Sequence, residues 1–101
     1  MDRFAEIKEK VVPLVLPYGV KRVAIFGSFV RGQVSPQSDI DLLITLKPRG
    51  QRPSLGLRWF ELEEELSRVL GRKVDLISEK ALSPYIRPYI EQEMVILYDE
   101  G

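Results

Sequence analysis

Two short alternating runs flank a helical stretch, and that order constrains the chain more than any other feature. From Asp39 to Leu46, Ile40, Leu42 and Ile44 fall on one side of a strand, while Asp39, Asp41 and Leu43 fall on the other. Val74 to Ser78 alternates the same way, with Val74 and Leu76 on one face and Asp75 and Ile77 on the other. Between them lies a basic loop, 47–54, that holds Pro48, Gly50 and Pro53. Ser54 is then expected to cap a helix reaching about Leu70. Trp59, Leu62, Leu66, Val69 and Leu70 make its apolar stripe, Glu61, Glu64 and Glu65 lie largely off it, and Glu64–Arg68 forms an i, i+4 pair. Gly71 ends the helix. A strand–helix–strand unit of this kind closes as a right-handed crossover with parallel strands.

The flanking segments complete the pattern. Phe4, Ile7, Val11, Leu14 and Val15 recur on one face of a helix over roughly 2–16, which Pro13 should kink or shorten. Pro17-Tyr18-Gly19 is a turn, and Val20 to Phe26 is a buried strand cut off abruptly by Gly27-Ser28. After Pro84 a turn leads to a short helix from about Pro88 to Glu93, and Met94 to Tyr98 reads as a last strand at a sheet edge. The expected fold is α/β (α+β): a mixed sheet of about four strands with helices mainly on one face, in a single domain spanning 1–101. Its 45% hydrophobic and 30% charged residues fit a globular chain of this size.

Composition narrows the chemistry. Lys+Arg and Asp+Glu are both 15, so there is no global basic field to grip nucleic acid directly. Cysteine and histidine are absent, which removes disulfides, thiolate and histidine catalysis, and soft metal sites. A metal would be held by oxygen, which favours Mg²⁺, Mn²⁺ or Ca²⁺. No targeting segment and no membrane-length apolar run is visible, so the expectation is a cytoplasmic protein.

Parallel pairing of the two aspartate-bearing strands would bring Asp39, Asp41 and Asp75 to one end of the sheet. Neighbouring strands lie about 4.8 Å apart, and two carboxylates about 5 Å apart repel by about 3 kcal/mol at an effective dielectric of 20. Aspartate is also disfavoured in strands. A divalent cation relieves that repulsion, and two-metal sites clamp the oxygens of a phosphoryl displacement. If the Val20–Phe26 strand runs antiparallel to its neighbour, Gly27 and Ser28 lie beside Asp39. Gly27 would let a ligand approach the backbone, Ser28 would offer a hydroxyl, and 29–32 could form a turn with free N–H groups for phosphate. Taken singly, Gly-Ser is a turn, Asp-x-Asp is a solvated strand end, and Arg31 is a surface residue or the partner of an aspartate. Their agreement on one location is what makes the set specific.

Gly27-Ser28, ten residues, then Asp39-Ile40-Asp41 resembles the signature of the nucleotidyltransferase superfamily that includes DNA polymerase β. The fuller strings Phe26-Gly27-Ser28-Phe29-Val30-Arg31-Gly32 and Ser38-Asp39-Ile40-Asp41-Leu42 resemble its minimal nucleotidyltransferase (MNT, MntA-like) group, and the likeness extends to Lys73-Val74-Asp75-Leu76. Phe29 and Val30 depart from the Arg and Ala often found there. The resemblance implies two Mg²⁺ ions held by Asp39, Asp41 and Asp75, with ATP or another nucleoside triphosphate seated by Gly27 and Ser28. It implies attack of a hydroxyl on the α-phosphorus with loss of pyrophosphate, and Asp75 helping to deprotonate that hydroxyl.

Roughly one hundred residues leave no room for an acceptor domain, so the acceptor is expected from elsewhere. In the resembled group the usual partner is a HEPN-domain toxin, which the MNT antitoxin modifies by transferring AMP to a tyrosine. Two alternatives stand beside this protein adenylyltransferase reading. One is an antitoxin that acts by binding alone, through Tyr85, Ile86, Tyr89 and Ile90 and the basic residues Lys47, Arg49, Arg52 and Arg58. Against it, the apolar four would be core and the basic four a solvated loop. The other is a small-molecule, aminoglycoside-type nucleotidyltransferase, for which a homo-oligomer would have to build the substrate cleft.

Overall fold

The predicted alternation is realised in a computed structural model that describes residues 3–33 and 39–101. Ser38 of the motif and Asp2 of the first helix lie outside the described residues. Four strands form one sheet: β1 (Val20–Phe26), β2 (Ile40–Leu46), β3 (Val74–Ser78) and β4 (Val95–Asp99), in the order β3-β2-β1-β4. β1 is antiparallel to both β2 and β4, and β2 is parallel to β3. The parallel pair is joined by α2 (Arg58–Leu70), as a crossover requires.

The two sheet faces carry separate apolar clusters. On one, Ile7, Val11 and Val15 of α1 (Arg3–Val15) and Leu62 and Leu66 of α2 pack on Val23, Ile25, Ile40, Leu42, Ile44, Val74 and Leu76. The helical residues recur at i, i+4 spacing, so each helix lays one stripe on the sheet, and each side chain buried there contributes about 1.5–3 kcal/mol. On the other face a smaller cluster of Ala24, Phe26 and Leu43 is covered by Ile77, Leu82, Met94 and Ile90, the last from α3 (Arg87–Glu93). Two long helices on one face and a seven-residue helix on the other match the expected architecture. No helix among the described residues is long and apolar enough to cross a membrane.

Pro13 neither breaks nor shortens α1, which runs two residues beyond it. Pro13 and Glu9, whose carbonyl loses its helical donor, are both exposed, so water can replace that bond. Ser54 does not cap α2. A turn intervenes, with Gly56 at φ 47° and the Arg58 amide donating to the Leu55 carbonyl at 2.6 Å, and the cap position falls on Leu57. The far end follows the expectation, with Gly71 at φ 68° donating its N–H to the Ser67 carbonyl. Arg68 pairs with Glu65 at 3.1 Å and not with Glu64.

The free edge of β3 is occupied by side chains of α2. Ser67 Oγ accepts the Val74 N–H at 2.9 Å, and Glu63 Oε2 accepts the Leu76 N–H at 3.0 Å. Outward-facing amides that would otherwise be open to another strand are thereby paired within the chain.

Candidate active site

Asp41 lies in β2 with Phe26 opposite it on β1 and Asp75 opposite it on β3. Register partners in a parallel pair point to the same face, so the Asp41 and Asp75 side chains are neighbours, with Cα atoms about 4.8 Å apart. Asp39 immediately precedes β2 and, two residues from Asp41, shares its face. The structure therefore brings the three carboxylates to one end of the sheet, on the face that α1 and α2 leave open. All three are half-buried.

The electrostatics bear the mark of that crowding. The Asp41 carboxyl is raised above its ordinary value of 3.8, first by burial, then by Asp75 and Asp39; Arg31 pulls it down and Glu93 pushes it further up. Lys73 Nζ stands 4.0 Å from Asp75 Oδ1 and offsets part of the charge there. No three acidic side chains among the described residues are drawn up to ligand spacing around a common point. The donor set nevertheless suits a hard divalent cation: oxygen only, like-charged, and close enough for one carboxylate to resist ionisation.

The β1 strand ends beside this group. Continuing its register with β2 sets Gly27 opposite Ile40 and Ser28 opposite Asp39. Gly27 has φ 84°, and a β-carbon built there would collide with Asp41 Oδ2. Only glycine fits both the backbone and the space. The following residues form the expected helical turn, but the N–H groups of 30–33 are not free. Val30 and Arg31 donate to the Gly27 carbonyl, Gly32 to Phe29 and Gln33 to Ser28. Phe29 is buried in the main core, edge-on to Phe4 with ring centroids 6.1 Å apart and beneath the Arg72 guanidinium. It belongs to the core and not to a phosphate-facing surface.

Sequence reasoning missed Glu93. Its Oε1 accepts the Gly27 N–H at 3.0 Å, and Arg31 Nη1 lies 3.1 and 2.9 Å from its two oxygens. Arg31 thus pairs with a glutamate from α3 and not with an aspartate of the motif. No sequence pattern pointed to it: Glu93 ends α3 just before β4, and only the pairing of β4 with β1 brings it to Gly27.

The candidate contact residues divide. Tyr85, Ile86 and Tyr89 are exposed, at 87, 51 and 74%, and only Ile90 is packed, against the smaller cluster. Arg52 is structural, donating from Nε to the Lys47 carbonyl at 2.9 Å, and Lys47 pairs with Glu100 at 3.3 Å. Arg49 and Arg58 are exposed. A cleft of about 690 Å³ opens near this loop, lined by Arg49, Arg52, Trp59 and Phe60 among others, at the opposite end of β2 and β3 from the carboxylates. It contains no acidic residue, and one of its arginines is spent on backbone carbonyls.

Comparison with known proteins places this arrangement. The nucleotidyltransferase domain model matches residues 5–97. A Methanocaldococcus jannaschii protein, provisionally assigned as a protein adenylyltransferase, is 40% identical over 90 residues, covering 89% of this chain and 92% of the relative. The protein adenylyltransferase MntA of Thermococcus cleftensis is 38% identical over 78 residues, covering 77% of this chain and 75% of that protein. A solved structure described, again provisionally, as a minimal nucleotidyltransferase superposes with a TM-score of 0.72 at 34% identity, over 87% of this chain and 86% of the other. The fold is also shared, with a TM-score of 0.69 at 19% identity over 95% of this chain and 72% of the other, by a chain from the complex of a tri-AMPylated Shewanella oneidensis HEPN toxin with its MNT antitoxin. With the Gly27-Ser28 turn, Asp39, Asp41 and Asp75 gathered at one sheet end, the chain belongs to the minimal nucleotidyltransferase group of the nucleotidyltransferase domain family and is a nucleotidyltransferase.

Proposed function

We propose that this chain is a cytoplasmic, Mg²⁺-dependent protein adenylyltransferase that moves AMP from ATP to a tyrosine hydroxyl of a cognate HEPN-domain toxin, and so acts as its antitoxin. The observation that carries the reading is the pairing of Asp41 with Asp75 across parallel strands, with Asp39 on the same face and the Gly27-Ser28 turn alongside. Its support from relatives is the adenylyltransferase assignment of proteins about 40% identical, and the fold shared with a toxin–antitoxin complex that contains an AMPylated HEPN toxin.

Asp39, Asp41 and Asp75 are the residues to hold two Mg²⁺ ions, which when bound supply positive charge against the phosphates and the charge developing on them. The remaining chemistry belongs to the chain. Gly27 has no side chain, so a triphosphate can approach the backbone, and Ser28 offers a hydroxyl donor. Asp75 accepts the proton of the acceptor hydroxyl at a carboxylate oxygen. The tyrosine oxygen then forms its bond to the α-phosphorus as the bond to the β-phosphate oxygen breaks, and pyrophosphate leaves. Tyr85, Ile86 and Tyr89, exposed on and just before α3, are available for protein contact, which also favours the second reading of neutralisation by binding alone.

The test is incubation with Mg²⁺, α-labelled ATP and a candidate HEPN-domain partner, sought first in the neighbouring gene. Label on a tyrosine of that partner, lost in Asp39→Asn with Asp41→Asn, is the expected result. Absence of labelling by well-folded protein contradicts the enzymatic reading. Cells still fully protected by the double variant would assign the antitoxin effect to binding.

A further inference from the structure

Glu93 occupies an unfavourable place. It ends α3, where the helix dipole disfavours a carboxylate, and it adds negative charge beside Asp41. It stands just before β4, whose antiparallel pairing with β1 brings the end of α3 to the Gly27 turn. What it gains are two donors, the Gly27 N–H at 3.0 Å and the Arg31 guanidinium at 3.1 and 2.9 Å. A backbone N–H at a glycine turn together with an arginine is also the donor pair that a phosphate oxygen takes.

We infer that Glu93 is a built-in competitor for the triphosphate: its carboxylate occupies the anion seat formed by the Gly27 N–H and Arg31, and a nucleotide binds by exchanging with it. This rests on the nucleotidyltransferase reading of the site and specifies how that site sets its nucleotide affinity. The contact is suited to exchange, because the Arg31 and Glu93 side chains are 49% and 26% exposed and such ion pairs are individually weak. Exchange involves no covalent change. Arg31 and the Gly27 amide pass from one oxyanion to another, and Glu93 moves into solvent.

The test is calorimetric titration of α,β-methylene ATP with Mg²⁺ into wild type, Glu93→Gln, Arg31→Ala and the double variant, each first shown to melt cooperatively. Glu93→Gln keeps an acceptor for the Gly27 N–H but releases Arg31, and is expected to bind about five- to tenfold tighter, the factor recovered when a competitor no longer holds the competent form to a minor fraction. Arg31→Ala binds more weakly. In the Arg31→Ala background the gain from Glu93→Gln falls to about twofold or less, because the exchange partner is gone. Equal gains in both backgrounds would reduce the effect to the loss of one negative charge and overturn the inference, as would unchanged or weaker binding by Glu93→Gln. No binding by any of the four proteins would overturn the nucleotide reading together with this one, whereas binding indifferent to Glu93 overturns this one alone.

Discussion

Replacing Asp41 by asparagine should make the protein more stable while removing its activity. Asp41 and Asp75 are register partners on adjacent strands. Carboxylates held about 5 Å apart repel by about 3 kcal/mol at an effective dielectric of 20. Both side chains are half-buried, with that of Asp75 38% exposed, so solvent and salt screen much of this, and about 1 kcal/mol survives. For a domain of this size that is a rise in Tm of about 4–8 °C. The assay is thermal denaturation followed by circular dichroism at neutral pH and low ionic strength, after chelator treatment.

The pH dependence has a defined sign. The Asp41 carboxyl is raised in the folded protein from its ordinary 3.8, so the folded state binds the proton more tightly than the unfolded one. Its contribution to stability is complete below 3.8 and is lost as pH rises through the folded-state value. The advantage of Asp41→Asn is therefore absent at low pH and opens as pH rises. Asp75→Asn relieves the same repulsion but also releases Lys73, so its gain is smaller. The double variant should gain little beyond Asp41→Asn alone, since one repulsion cannot be removed twice. An Asp41→Asn protein no more stable than wild type at neutral pH, or single gains that add in the double, would refute the claim that these carboxylates crowd one another.

Mg²⁺ should raise the melting temperature of wild type and leave Asp39→Asn with Asp41→Asn unmoved; at a hundredfold excess over Kd the gain is about 2.7 kcal/mol, and an equal response in both proteins would dissociate the aspartates from the metal. Gly27→Ala combines a positive φ with a collision against Asp41, whereas Gly32→Ala has the positive φ and open space, so urea denaturation should show a loss of about 1–2 kcal/mol for Gly32→Ala and distinctly more for Gly27→Ala. Glu63→Ala removes the acceptor of the Leu76 amide on the β3 edge and should cost about 1–3 kcal/mol; sedimentation would also show more self-association, since the edge amide is released.

What the sequence disclosed and what it hid follow from the range of each signal. β1 and β3 begin and end where alternation and flanking turns put them, and β2 begins one residue later than expected, at Ile40. The three aspartates could be placed on one face because the period-2 rule needs only their spacing and the parallel crossover. Ser54 misled because capping preference is local, and the Leu55–Gly56 turn that displaced it is not a strong stop signal. Glu93, Glu63 and Ser67 were invisible for the opposite reason. Their partners lie 66, 13 and 7 residues away, and no periodicity says which backbone amide at a sheet edge or strand end needs an acceptor. For Tyr85, Ile86, Tyr89 and Ile90 the sequence left contact surface and core both open, because an apolar side chain carries no sign of which it joins; the first three are exposed and Ile90 is packed.

The site and the core are coupled through register. Ile40, Leu42 and Ile44 are 0–2% exposed beneath α1 and α2, and Asp39 and Asp41 alternate with them. A one-residue slip of β2 would drive carboxylates into the main core and Ile40, Leu42 and Ile44 out of it, so the packing that stabilises the sheet also fixes where the aspartates stand. Loosening that packing without changing its parity should then lower stability and spare the site. Leu66→Ala, fully buried on α2, is the fitting perturbation, with an expected cost of about 2–5 kcal/mol. Below its lowered melting point the variant should still gain thermal stability from Mg²⁺, because β2 and β3 retain their pairing. A folded Leu66→Ala protein that no longer responds to Mg²⁺ would mean that the carboxylates depend on fine core packing and not on strand parity.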